Sequence, residues 1–185
     1  MSDRYIFRYI IILVLIVSVL LSGAALLLKP YQDMNKKNEQ RINILKAAGI
    51  TGVDNINAEQ LYKQHCTAEH GGDLPYCIID GKITVIPMQG NGLWGPIWGY
   101  IGLSEDYQTV IGAVFDHKSE TPGLGAEITS EHFQSQFSGR KMQKSGDDYS
   151  VEVDAIAGAT RTSDGVKNMI TNTLEAYKPV FEGNE

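Results

Sequence analysis

Three patterns in this chain add up to an α+β architecture: short apolar strands separated by glycine turns, helical periodicity before and after them, and a small-residue turn leading into the last helix. Packed helices over a small antiparallel sheet is the expected form. Ahead of it stands an uncharged run, residues 9–28, which at ~1.5 Å per helical residue reaches roughly 30 Å, the thickness of a bilayer's hydrocarbon core. We divide the chain into a short N-terminal segment (1–8), a transmembrane helix (9–28), a stalk helix and linker (29–56) and a folded domain (57–185). A signal peptide is the alternative, with Arg4 and Arg8 as its basic region and Ser22-Gly23-Ala24 as its cleavage stretch, but Leu26, Leu27 and Leu28 carry the apolar run past that point.

The elements follow in order. Between Tyr31 and Gly49, Ile42, Leu45 and Ala48 share one face of a charged helix that Gly49 stops. Asn57-Ala58-Glu59-Gln60 resembles a capping box and opens a second, short helix. From Tyr76 to Pro87 the chain reads as a hairpin, because Asp80-Gly81 supplies the positive-φ turn between two β-branched runs. Strands 97–103 and 109–115 come next, turning at Ser104-Glu105-Asp106. Residues 129–137 read as a helix ended by Gly139. Tyr149, Val151 and Val153 then alternate with Ser150, Glu152 and Asp154, the period of a half-buried strand. In the final helix Val166, Met169, Ile170, Thr173, Leu174 and Tyr177 recur at helical spacing; Thr162 or Ser163 is its expected N-cap, and Pro179 closes it.

Composition narrows the function. A net charge of −6 with no basic stripe argues against nucleic acid as a partner. His117 and His132 stand alone in a loop and a helix, and no carboxylate pair or nucleophile triad is evident. A Gly-x-Gly-x-x-Gly turn after a strand is also missing, so NADH binding belongs elsewhere. Cys66 and Cys77 are the two cysteines, and the loop with Gly71, Gly72 and Pro75 between them suits a disulfide in an oxidising compartment. Two other readings stay open: free thiols, or a metal held by His65, Cys66, His70 and Cys77, whose spacing matches no familiar zinc pattern.

The segment Asp154-Ala155-Ile156-Ala157-Gly158-Ala159-Thr160-Arg161-Thr162-Ser163 carries the chemistry. It sets the Thr160 hydroxyl at a strand-to-helix turn, where a helix start offers unpaired N–H groups to an anion and Gly158 and Ala159 leave the backbone open to approach. Plain helix capping gives the same pattern. Two glycine-rich loops stand upstream. Gly90-Asn91-Gly92-Leu93-Trp94-Gly95 precedes Trp98 and Tyr100, aromatics that either stack on a planar ligand or fill the core. His117-Lys118-Ser119-Glu120-Thr121-Pro122-Gly123-Leu124-Gly125 contains a turn pair and reads otherwise as a surface loop.

In this order the three motifs resemble the FMN-binding domain family, which is found in the NqrC component of the sodium-translocating NADH:quinone oxidoreductase and in the RnfG component of Rnf-type electron transport complexes. Asp-x-x-x-Gly-Ala-Thr-x-Thr-Ser is similar to its flavinylation motif, Glu-Thr-Pro-Gly-Leu-Gly is shared by both branches, and Gly-Leu-Trp followed by Trp-Gly-Tyr looks more like the NqrC pattern. The resemblance runs from the membrane span to Val166.

It implies covalent FMN, esterified through its phosphate to Thr160, with Asp154, Gly158, Ala159, Thr162, Ser163, Leu93, Trp94, Glu120, Thr121, Pro122, Gly123, Leu124 and Gly125 around it. One departure is visible: Ala157 stands where the family usually has Ser or Thr. The resemblance further implies an electron-transfer subunit without its own NADH site, the other subunits of a membrane complex as partners, and a flavin transferase for maturation. It places the flavin domain on the outer face of a bacterial inner membrane. The charge count points the other way, since Lys29, Lys36, Lys37 and Arg41 follow the span and only Arg4 and Arg8 precede it. The alternatives are the RnfG component of an Rnf complex, or a flavin-free, membrane-anchored assembly module in which Thr160 is a helix cap.

Overall fold

Residues 3–145 and 148–182 are described by a computed structural model. The chain separates into two compact units, Met1–Glu39 and Gln40–Glu185. The first consists of most of helix α1 (Asp3–Ala47), which among the described residues is the helix long and apolar enough to cross a membrane. Its apolar side chains, among them Leu15, Leu20 and Leu27, are exposed in the isolated chain. Span and stalk, expected as two elements meeting near Pro30, are one helix that runs through this proline. Proline removes one backbone donor, and hydrogen bonds on either side carry the helix past it.

The helix stops as Gly49 predicts. Gly49 adopts φ +80°, its N–H donates to the Lys46 carbonyl (2.9 Å), and the Ile50 N–H donates to the Leu45 carbonyl (2.9 Å), a Schellman arrangement that satisfies two orphan carbonyls. α2 (Ala58–His65) begins where Asn57 was expected to cap it, but no capping-box bond forms. The Asp54 side chain accepts from the Ile56 and Asn57 N–H groups instead, and Asn57 Oδ1 accepts from the Asp54 N–H. The loop thus satisfies itself before the helix starts.

Five strands form one antiparallel sheet in sequence order: β1 (Cys66–His70), β2 (Tyr76–Ile79), β3 (Ile83–Asn91), β4 (Pro96–Leu103) and β5 (Val110–His117). Asp80 and Gly81 (φ +52° and +69°) make the expected turn between β2 and β3. Both hold left-handed geometry inside a three-residue link (80–82), where the Lys82 N–H donates to the Ile79 carbonyl (3.1 Å). At the β4–β5 turn the Asp106 carboxyl accepts from the Ser104 hydroxyl and the Gln108 N–H, which holds it below the usual carboxylate range. β1 is an unexpected edge strand, and its polar residues gave no alternation to read.

The stretch expected as one helix over 129–137 is segmented into a 3-10 turn (Gly125–Thr129), α3 (Glu131–Gln134) and another 3-10 turn (Ser135–Phe137). Ser130 caps α3 by accepting from the Phe133 N–H, which restarts the backbone at that point. Next come the β6 (Gln143–Ser145) and β7 (Asp148–Ser150) ribbon, then α4 (Thr160–Ala176) and α5 (Lys178–Glu182). The strand expected to run to Asp154 ends at Ser150. Beyond it the Asp154 N–H donates to the Gln136 side chain (2.8 Å), not to a neighbouring strand. Pro179 lies inside α5, one residue past its start, where its missing donor costs nothing.

Both faces of the sheet are covered. On one, Ile86, Met88, Ile97, Ile101 and Phe115 pack with Val166, Met169, Ile170 and Leu174 of α4 and with Phe133 and Phe137. The other seats Cys77, Ile79 and Val85 against Ala47 and Ala48 at the end of α1. Gly102 and Gly112 face each other across β4 and β5, and a Cβ on either would lie 2.2 or 2.9 Å from the Ala47 carbonyl oxygen. The glycines therefore form the notch that admits the helix end. Tyr100 packs in this second cluster, and Trp98, half-buried, lies on the same face of β4, so both are on the face away from α4.

Candidate functional site

Helix α4 starts earlier than its capping residues suggested. Gly158 turns the chain with φ +75°, the Ala159 N–H donates to the Ile156 carbonyl, and Thr160 is the first helical residue. Thr160 is exposed. Thr162 and Ser163, expected as N-cap, are each 1% exposed and sit inside the first turn. Ser163 Oγ donates to the Ala159 carbonyl (3.1 Å) and accepts from the Ile156 N–H (3.0 Å), so it braces the turn from within. Ala159 holds the cap position without a side-chain bond. The leading N–H groups of α4, which have no intrahelical acceptor, therefore lie beside an exposed threonine hydroxyl.

Glu120 gathers the rest. It is 5% exposed, its Oε1 accepts from the Trp94 N–H (2.8 Å), and its Oε2 accepts from the Thr162 hydroxyl (2.7 Å). One carboxylate thus binds the β3–β4 loop to the first turn of α4. The Ser119 hydroxyl donates to the Trp94 carbonyl (3.0 Å), so both polar groups of the Trp94 backbone are held while its indole stays 67% exposed. His117 Nδ1 in turn accepts from the Glu120 N–H (3.2 Å).

The glycines of the two loops are spacers for this carboxylate. A Cβ at Gly92 would come within 2.5 Å of Glu120 Oε1, and one at Gly125 within 2.4 Å of Oε2 and 2.7 Å of Thr162 Oγ1. Thr121-Pro122-Gly123-Leu124 forms a turn in which the Leu124 N–H donates to the Thr121 carbonyl (3.1 Å) and Gly123 has φ +73°, the conformation that favours glycine after proline. It delivers Leu124 to Gly158, whose added Cβ would lie 3.0 Å from Leu124 Cδ2.

The structure brings together most residues singled out from the sequence. Leu93, Trp94 and Leu124 remain 44%, 67% and 41% exposed, a polar-rimmed apolar group beside the start of α4. Asp154 lies apart, exposed, with its N–H on Gln136. Four further residues were not singled out: Arg161, Asp164, Gly165 and Asn168 join Gly92 and Leu93 around an open cleft of about 280 Å³. Their spacing, three and four apart from Arg161 onward, marks the polar stripe of α4 and was the available signal. Gly165 is required by contact, since a Cβ there would lie 2.4 Å from the Asn91 carbonyl oxygen.

His65 and His70 do not converge with the cysteines. His65 Nδ1 lies 2.8 Å from Asp80 Oδ1, and the His70 ring stacks on Tyr76 at 4.3 Å. Among the described residues no three potential ligands come together around a point. The Cys66 and Cys77 sulfurs are neighbours, 3.0 Å apart and unbonded.

The FMN-binding domain model matches residues 92–175, a stretch that takes in the Trp94 loop, the buried Glu120 and the Gly158-Ala159-Thr160 start of α4, and this match gives the class of the domain. The relatives are more specific. The C subunit of the Na(+)-translocating NADH-quinone reductase of Haemophilus ducreyi is 28% identical, covering 94% of this chain and 92% of that protein. Its counterpart from Neisseria meningitidis is 29% identical, covering 83% of this chain and 82% of the relative. Among solved structures, the C subunit from Parabacteroides distasonis superposes with a TM-score of 0.70 at 30% identity, over 81% of this chain and 94% of that one. NqrC of Shewanella oneidensis has the same fold, with a TM-score of 0.68 at 20% identity over 80% of this chain and 98% of that one. This chain belongs to the NqrC family, the C subunits of Na(+)-translocating NADH-quinone reductases.

Proposed function

We propose that this protein carries FMN bound through a phosphoester to Thr160 and passes electrons within a membrane Na+-translocating NADH:quinone reductase. The observation that carries the reading is the placement of Thr160: exposed, first in α4, directly after the Gly158 turn and next to a cleft lined by Arg161. A phosphate on that oxygen meets the N–H groups and partial positive charge of the helix start, with the Arg161 guanidinium next in the chain.

The residues present fit the group. A cleft of about 280 Å³, close to the lower limit of ligand-pocket sizes, would take the phosphate end of the group beside Thr160. Leu93, Trp94 and Leu124, partly exposed nearby, would offer apolar surface to its ring system. FMN supplies one- and two-electron chemistry when bound. The protein's own part would be to fix the attachment point and to hold the Trp94 loop through Glu120 and Ser119. NADH oxidation and ion movement belong to partner subunits.

We further assign residues 9–28, within α1, as the single membrane span, with residues 35–185 on the outer face of the inner membrane, where a flavin transferase works. Family resemblance supports this orientation. Protease added to spheroplasts should digest the domain with the membrane intact; digestion only after lysis overturns the assignment.

Peptide mass spectrometry after co-expression with a flavin transferase tests the attachment. The expected product is FMN less one water on the Gly158–Thr160 fragment, lost in Thr160→Ala. An adduct on Thr162, or no adduct anywhere, removes the proposal. Thr162 is the informative competitor because its hydroxyl is already committed to Glu120.

A further inference from the structure

On the sheet face away from the proposed flavin site, α2 and the first and second strands bring a phenol, two thiols and a carboxylate together. Cys66 pairs opposite Ile79 and Ala68 opposite Ile78, so Thr67 is an extra residue, and this bulge turns Cys66 toward Cys77, which itself pairs with Glu69. The sulfurs lie 3.0 Å apart. Tyr62 donates its hydroxyl proton to Glu69 Oε1 (2.6 Å), and its oxygen lies 3.5 Å from Cys77 Sγ, placed to accept from that thiol. Cys66 is half-buried and Cys77 only 5% exposed, so Cys66 is the more accessible of the two.

We infer that Cys66 and Cys77 form an exchangeable dithiol–disulfide couple, in which Cys66 meets the oxidant and Cys77 is the resolving thiol. The oxidant is a small disulfide or the disulfide of a thiol oxidoreductase. Deprotonated Cys66 attacks one sulfur of that disulfide; its S–S bond breaks, one thiolate leaves, and a mixed disulfide forms on Cys66. Cys77 sulfur then attacks Cys66 sulfur and expels the second thiolate. In that step the Cys77 proton passes to the Tyr62 oxygen as the Tyr62 proton passes to Glu69. Two protein thiols are oxidised by two electrons, and one external disulfide is reduced to two thiols.

The division of roles follows from the surroundings. Burial, and then the Cys66 hydrogen bond, push the Cys77 thiol up to about 12, so this sulfur stays protonated until a partner takes its proton. Tyr62 and Glu69 are that partner. Arg41, stacked 5.9 Å over the Tyr62 ring, and Glu59, 3.6 Å from Arg41, are the other charges nearby. The closed bond would pin edge strand β1 to β2 inside the apolar cluster that seats Ala47 and Ala48.

Full-length protein in detergent, reduced and then exposed to oxidised glutathione, tests the couple by alkylation and intact mass. Both thiols should vanish together with loss of two hydrogens, and dithiothreitol should restore them in the folded state. Cys77→Ser should accumulate glutathione on Cys66, while Cys66→Ser should leave Cys77 unmodified. Glu69→Gln, an exposed change that spares the fold, should slow closure of the mixed disulfide by on the order of tenfold or more, and Tyr62→Phe should do the same. The couple is overturned if both thiols stay alkylatable in excess oxidised glutathione, or if the bond resists dithiothreitol in folded protein. Equal trapping on Cys77 reverses the assigned roles, and unchanged closure in both relay variants removes the relay.

Discussion

Replacing Glu120 with alanine should loosen three segments at once. The side chain accepts a backbone donor from Trp94 and a hydroxyl from Thr162, and it fills the space left by Gly92 and Gly125. Hydrogen bonds to a charged acceptor contribute about 1.5–3 kcal/mol each. Thr162 can turn its hydroxyl back to the Gly158 or Ala159 carbonyl and recover part of its share, whereas the Trp94 N–H cannot move and is left unpaired, at about 1–3 kcal/mol. The net loss should be about 3 kcal/mol, which for a chain of this size lowers the melting temperature by roughly 6–12 °C. Glu120→Gln keeps an oxygen for Trp94 and presents its NH2 to a Thr162 hydroxyl that can accept, so its loss should be about 1 kcal/mol. Thermal unfolding of the detergent-solubilised chain, followed by far-ultraviolet dichroism, measures both. If alanine changes stability by less than about 0.5 kcal/mol, or glutamine is as damaging as alanine, Glu120 is not the tie described here.

Gly165→Ala should destabilise by about 1–3 kcal/mol despite the ~1 kcal/mol gain in helix propensity, because the added Cβ presses on the Asn91 carbonyl; a raised melting temperature would remove the close approach. Thr160→Ala should cost less than about 0.5 kcal/mol, since the exposed Thr160 follows the cap position and is not the cap, and thermal unfolding of the flavin-free protein checks this. The reduced protein should lose stability in alkali. The folded Cys77 thiol is held near 12 against an ordinary 9.0, so its contribution is complete below pH 9 and is lost as pH rises from 9 toward 12, at up to about 1.4 kcal/mol per unit. Urea unfolding of wild type and Cys77→Ala at several alkaline pH values isolates that slope; parallel curves would contradict it.

The sequence revealed features set by local chemistry and obscured those set by distant partners. Gly49, Asp80-Gly81 and Pro122-Gly123 each demand a backbone shape that few other residues adopt, so their turns were legible. β1 was not, because Glu69 and His70 are polar edge residues placed by pairing with β2. Val151 and Val153 alternate like a strand and are buried like one, but Asp154 finds its acceptor on a glutamine side chain, which no periodicity reveals. Thr162 and Ser163 resemble caps and instead point inward, since the Gly158 turn had already begun the helix. Glu120 was recognised through its motif. Its two partners lie 26 and 42 residues away, and only the fold could identify them.

Those separations also fix a sequence of events. The Glu120–Thr162 contact spans 42 residues, so it exists only once the Glu120 loop and the first turn of α4 have been brought together. Without that contact nothing sets the Thr160 hydroxyl apart from those of Thr162 and Ser163. On the function proposed above, a transferase that is to distinguish Thr160 from Thr162 must meet the folded domain, in which the Thr162 hydroxyl is held by Glu120 and Thr160 is exposed.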